Sequence, residues 1–249
     1  MKKPYYPRVC FAIDDSTHDG AKKKACMIEC IGGDFGVKIN IDLILRGSQI
    51  ITEISKITGC PVFADLKMNN GKRTMDELVK EVTNRGAKMV NAYVQADRLL
   101  EKAIQTARDN GVIFLGVTVT THFDEAYCWK YYRRSLSETI HFLAQEAMNL
   151  GCDGFILPGT TLKYVPAIEG FRFTPAVRPV WYAEKKTNDQ EQECTPTNAV
   201  LPIDDNGVLV HGADTISCGS PVFKSLDPRE AARLILNEVS SAWPKRLTA

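Results

Sequence analysis

The sequence predicts a single (β/α)8 barrel, and three observations predict it. Eight short apolar runs recur along the chain, helix-length amphipathic stretches separate most of them, and glycines stop those stretches just before the next run. The runs are Val9 to Ile13, Gly36 to Ile39, Pro61 to Ala64, Met89 to Ala92, Ile113 to Val119, Gly154 to Leu157, Phe173 to Val177 and Thr215 to Cys218. Short continuous apolar runs suit parallel strands, because both faces of such a strand are covered. Between them, Thr74 to Arg85, Ala96 to Asn110 and Leu136 to Asn149 have helical periodicity; the last carries Ile140, Leu143, Ala144 and Ala147 on one face. Gly59, Gly86, Gly111 and Gly151 each fall shortly before the next apolar run, where a helix can end left-handed at little steric cost.

Two segments interrupt the rhythm. Trp181 to Glu193 is polar and charged and reads as a mobile loop over the mouth of a barrel. Between 198 and 211, apolar Val200-Leu201-Pro202-Ile203 and Val208-Leu209-Val210 flank Asp204-Asp205-Asn206-Gly207. Asn-Gly between apolar runs is a hairpin signal, so a small β insertion is expected to replace or precede the seventh helix.

The 249 residues suffice for one large α/β domain, here taken as 1–249. A formal charge of +1 provides no long-range field to collect nucleic acid or an anionic membrane, so a small or neutral partner is expected as readily as a charged one. No stretch approaches the roughly 18 apolar residues of a membrane span, and Met1 to Arg8 lacks the apolar core of a secretory signal. A cytoplasmic location follows as an expectation. The eight cysteines are scattered; Cys26 and Cys30, the one close pair, are at helical rather than CxxC spacing, and all are read as buried thiols.

In a barrel of this kind the chemistry belongs to polar residues at the C-terminal ends of the strands. That criterion selects Asp14, Lys38, Asp65, Lys67, Tyr93, Thr121, His122, Arg178 and Ser220, the last following Cys218-Gly219. Two lysines and two aspartates on neighbouring strand ends place alternating charges in one pocket, and the alternation lets each stay ionised. Asp65 and Lys67, at i and i+2 beyond an apolar strand, are expected to share a face. An ammonium beside a carboxylate can act on a substrate carboxylate, stabilise a developing carbanion and protonate it. That chemistry is decarboxylation with direct protonation, and it needs no metal or organic cofactor. Lys38 and Lys67 would compete with a metal for the same place, and the four histidines have no ligand spacing.

These residues resemble a known family. In order, Phe11-Ala-Ile-Asp14, Val37-Lys38, Phe63-Ala-Asp65-Leu-Lys67, Gly86-Ala-Lys-Met-Val-Asn91, Gly116-Val-Thr-Val-Thr-Thr121, Cys152-Asp-Gly154, Thr174-Pro-Ala-Val-Arg-Pro179, Asp189-Gln190 with Thr195-Pro196, and Gly212-Ala-Asp214 before Cys218-Gly219 are similar to the orotidine 5'-phosphate decarboxylases. The resemblance extends to the superfamily that also holds ketogulonate-phosphate decarboxylase and hexulose-phosphate synthase, and Lys38 favours the decarboxylase branch. It implies Lys67 as proton donor to the pyrimidine C6, Asp65 against the leaving carboxylate, and Lys38 holding Asp65 and the ribose. It also implies Asp14 at the ribose hydroxyls, Thr121 at the pyrimidine edge, and Gln190, Gly219 and Ser220 at the substrate. Thr74 would reach a partner's site, which implies a homodimer with shared active sites.

Three departures accompany these matches. The family's strand-three motif ends in an aspartate that enters the neighbouring subunit's site, and here it is Asn70, which can hydrogen-bond but removes a negative charge. The family's Gly-Arg-Pro, whose arginine holds phosphate, reads Gly219-Ser220-Pro221. The loop places Glu191, Gln192 and Glu193 where the family has arginine, with Lys72 or Arg73 available to compensate. Tyr93 replaces the usual histidine. Three functions fit: decarboxylation of orotidine 5'-phosphate, decarboxylation of a related carboxylated nucleoside or acid, phosphorylated or not, or a non-catalytic nucleotide-binding barrel.

Overall fold

The computed structural model describes residues 5–17, 19–182 and 192–246. Among them eight parallel strands close into a barrel in sequence order: β1 Val9–Ala12, β2 Phe35–Ile39, β3 Val62–Met68, β4 Ala87–Tyr93, β5 Ile113–Val117, β6 Gly154–Ile156, β7 Phe171–Thr174 and β8 Thr215–Cys218. The helices are α1 Gly20–Ile28, α2 Ile41–Arg46, α3 Gln49–Thr58, α4 Lys72–Asn84, α5 Glu101–Asp109, α6 Glu125–Tyr132, α7 Leu136–Asn149, α8 Pro196–Val200, α9 Ser220–Phe223 and α10 Pro228–Ala242. β1 pairs with both β2 and β8, which closes the ring and leaves no sheet edge. None of the described helices is long and apolar enough to cross a membrane.

Strand periodicity divides the core in two. Outward residues such as Phe11, Val37, Ile39 and Ala64 pack against the apolar faces of the helices. Cys10, Phe63, Met89, Leu115 and Phe173 fill the barrel interior, where Phe63 and Phe173 meet edge to face at 5.0 Å. Tyr6 plugs the lower end, its hydroxyl donating to the Pro61 carbonyl at 3.0 Å. A Cβ at residue 36 would stand 2.6 Å from the Tyr6 oxygen, which is why glycine occupies that position. Because the bottom is filled, a ligand can enter only at the C-terminal ends of the strands.

Several local expectations need correction. β3 runs on to Met68, with a register shift between Ala64 and Met68: four steps on β3 span two on β4. β7 starts at Phe171 and ends at Thr174; Ala176 has φ 58°, and beyond it Val177 lies outside the strand, in an isolated bridge to Cys194 and with its N–H donating to the Ser217 carbonyl. The stretch from 96 to 110 is not one helix, since Asp97 at φ 52° interrupts it and the α-helix starts at Glu101. In the 198–211 segment the expected hairpin is reduced to a single antiparallel bridge, Ile203 to Leu209, across the Asn-Gly turn, and the five-residue α8 precedes it. Asp204 organises that turn, its carboxylate accepting from the Asn206 and Val208 N–H groups. All eight cysteines are free thiols, and Cys26 and Cys30 are exposed because the end of α1 faces solvent. Of the expected loop from Trp181 to Glu193, residues 183–191 lie outside the described residues.

Candidate active site

Four charged side chains stand in a row at the upper ends of β1, β2 and β3. The Asp14 carboxylate accepts from Lys38 Nζ at 2.9 Å, Lys38 Nζ also donates to Asp65 at 2.9 Å, and Lys67 Nζ donates to the same Asp65 oxygen at 2.6 Å. The order is therefore carboxylate, ammonium, carboxylate, ammonium. Asp65 is 4% exposed. Burial by itself raises its carboxyl, but the ammonium groups of Lys38 and then Lys67 outweigh that and hold it well below the usual carboxylate range. Burial likewise works against the Lys38 ammonium, and Asp65 and Asp14 overcome it and hold Lys38 well above the usual lysine value. Neither central group gives up its charge near neutral pH.

The sequence spacing anticipated that Asp65 and Lys67 meet, but the backbone reason differs from simple alternation. Lys67 has φ 45°, in the left-handed region that a non-glycine residue adopts at a cost. The bulge in β3 turns the Lys67 side chain back over Asp65. Asn91, fully buried on β4, secures the arrangement from both sides: its Oδ1 accepts from the Lys67 N–H at 2.7 Å and its Nδ2 donates to Asp65 Oδ1 at 2.7 Å. Asn40, just beyond β2, does similar work, its N–H donating to Asp14 and its Nδ2 to the Asp65 carbonyl at 2.6 Å. Asn91 was visible in the sequence as part of a motif and Asn40 only as the residue after an apolar run. The role of each depends on the lateral register of the strands, which the sequence does not show.

Above this row opens a cavity of about 260 Å³ lined by Lys38, Asp65, Lys67, Thr121, His122 and, on the β7 and β8 side, Arg178, Gly219 and Ser220. Lys67 is the most exposed of the four charged side chains, at 35%. Thr121 is nearly buried at the wall. Gly219 lets the chain pass close to Ala12, whose carbonyl oxygen lies 3.1 Å from where a Cβ would be. Ser220 begins α9 at the rim. Tyr93 is half-buried, and burial together with the negative charge of Asp65 raises its phenol.

Arg178, present among the strand-end candidates but assigned no role, supplies the cation on the β7 side. Its Nε contacts Glu193 at 2.7 Å, and the Tyr182 ring lies 5.6 Å from the guanidinium carbon. Glu193 is held there by its neighbours. The Gln192 N–H donates to the Thr121 carbonyl and its Nε2 to the Phe123 carbonyl, and the Arg178 N–H donates to the Cys194 carbonyl. Asn70 and Thr74 are exposed and do not line this cavity in their own barrel; the Asn70 side chain accepts from the Gly71 N–H, and Thr74 borders an open groove with Arg73, Glu77 and Leu78. Gln190 lies outside the described residues.

The sequence profile of the orotidine 5'-phosphate decarboxylase / HUMPS family matches residues 7–235 of this chain. Orotidine 5'-phosphate decarboxylase of Methylobacterium sp. (strain 4-46) is 29% identical over 251 residues, covering 97% of this chain and 100% of the relative. The enzyme of that name from Methylobacterium nodulans is 30% identical over 242 residues, covering 94% and 96%. A crystal structure of orotidine 5'-phosphate decarboxylase from Lactobacillus acidophilus superposes with a TM-score of 0.74 at 21% identity, over 94% of this chain and 99% of the other, and supports the fold.

Proposed function

Since this chain belongs to the orotidine 5'-phosphate decarboxylase / HUMPS family, we propose that it decarboxylates orotidine 5'-phosphate to UMP and CO2, with the Lys67 ammonium as the proton source. The observation that carries the reading is the row Asp14, Lys38, Asp65, Lys67, closed by contacts of 2.6 to 2.9 Å, whose last three members line the strand-end cavity. Asp65 stays ionised, so a substrate carboxylate seated beside it meets a fixed negative charge that is relieved when CO2 departs. The carbon–carbon bond breaks with its electron pair left on the ring carbon. Lys67, able to leave Asp65 because it is the most exposed member of the row, stabilises that pair and delivers a proton to it. Water then restores the ammonium, and no metal or organic cofactor takes part. Lys38 and Asp14 face the sugar, and Thr121 faces the pyrimidine edge. Asn70 and Thr74, which are outside the cavity of their own barrel, complete the site of a second copy in a homodimer.

A second reading keeps the reaction and removes the phosphate: an unphosphorylated carboxylated nucleoside as substrate. Ser220 in place of a cation, and a carboxylate on Arg178, favour it. Loss of absorbance from orotidine 5'-monophosphate, run beside orotidine and beside Lys67→Ala, tests both. Turnover of the nucleotide that disappears in Lys67→Ala supports the first reading, and turnover of orotidine alone supports the second. Absence of turnover of both substrates overturns both and leaves a binding barrel.

A further inference from the structure

Arg178 lines the cavity with Gly219 and Ser220, past the end of β7 and across the barrel from β3, which carries Lys67. A negatively charged group of a ligand at that end has Arg178, beyond the end of β7, as its cation, because Ser220 contributes only a hydroxyl and backbone. Glu193 already takes Nε of Arg178 at 2.7 Å. The placement is built into the backbone: Val177 and Cys194 bridge in parallel, and the Arg178 N–H donates to the Cys194 carbonyl at 2.8 Å. Gln192, 8% exposed, anchors the other side of Glu193 through the carbonyls of Thr121 and Phe123 and the Thr160 hydroxyl, at 3.2, 2.6 and 2.9 Å. The carboxylate is thus fixed beside Arg178, between two tethered neighbours.

We propose that Glu193 is a specificity-determining residue: its carboxylate offsets Arg178 and so narrows the preference of the site for phosphorylated over unphosphorylated ligands. A phosphate dianion approaching Arg178 either shares the guanidinium with Glu193, at the cost of repulsion between two anions in a partly dehydrated place, or displaces it. An uncharged 5'-hydroxyl meets neither cost. Glu193 therefore acts on the charged end of a ligand and leaves the pyrimidine end untouched. The inference rests on the reading that the cavity takes a pyrimidine nucleotide or nucleoside, with Arg178 nearest its 5' end.

The test titrates wild-type protein, Glu193→Gln and Glu193→Asp with inorganic phosphate, UMP and uridine, following phosphate by 31P NMR and UMP and uridine by calorimetry. Glu193→Gln keeps the shape and removes the charge; it is expected to bind phosphate and UMP at least about tenfold more tightly, with uridine within about twofold of wild type. Glu193→Asp keeps the charge and is expected to show no such gain. Unchanged phosphate and UMP affinity in Glu193→Gln, or an equal gain for uridine, would overturn the proposal. The phosphate titration separates the two ideas: if UMP and uridine bind no variant while phosphate still responds to Glu193→Gln, the pyrimidine reading fails and the role of Glu193 stands.

Discussion

Replacing Asn91 by alanine removes the side chain that ties the bulged end of β3 to β4. Two bonds of 2.7 Å are lost in a fully buried place, one from Nδ2 to the ionised Asp65 and one from the Lys67 N–H to Oδ1. A hydrogen bond to a charged group contributes about 1.5–3 kcal/mol, and leaving the buried N–H unpaired costs about 1–3 kcal/mol, so Asn91→Ala is expected to destabilise by roughly 3–5 kcal/mol. For a domain of this size that is a fall in Tm of roughly 6–20 °C, readable by calorimetry. Activity is expected to fall as well, because Lys67 at φ 45° has lost the acceptor that pins its backbone; a displacement near 1 Å corresponds to a loss of about 10²-fold in kcat. Asn91→Asp separates the two bonds, since it retains an acceptor for Lys67 N–H and replaces the donor to Asp65 by a second negative charge. An Asn91→Ala protein with Tm within about 2 °C of wild type and unchanged kcat would refute the argument that this asparagine holds the Asp65–Lys67 geometry.

The Asp65 carboxyl is held below its ordinary value of 3.8, so the stability it contributes is present above that pH and is lost as the pH falls through its folded value; urea midpoints followed below pH 4 are expected to decline more steeply in wild type than in Asp65→Asn. Lys38 is held above its ordinary value of 10.5, so its contribution is complete below that pH and is lost as the pH rises through its folded value, and neither group produces a slope at neutral pH. Gly154→Ala places a Cβ 2.0 Å from the Phe171 carbonyl oxygen across β6 and β7; a loss of about 3 kcal/mol or more is expected, measured as the denaturation midpoint. Ser220→Arg adds a cation at the cavity rim and is expected to raise the UMP-to-uridine affinity ratio about tenfold or more; an unchanged ratio would place the ligand's 5' end elsewhere.

The row from Asp14 to Lys67 is a case in which local sequence and tertiary structure agree for different reasons. Each member follows an apolar run, and a parallel barrel brings the ends of successive strands together, so their assembly was legible from order alone. The alternation invoked for Asp65 and Lys67 is not what makes them touch. The bulge is, and it depends on how β3 pairs with β4.

By itself the sequence determined the barrel, the order of its strands, and the four charged residues at one end, because apolar runs and their flanking polar residues are local properties of the chain. Only the tertiary structure decided that Asn91 supports Lys67, that Glu193 meets Arg178, and that a short helix and a single bridge stand where a hairpin was expected. Those contacts join residues on different strands and loops, at distances set by the closure and lateral register of the barrel. A spacing along the chain carries no information about that register until the strands are paired.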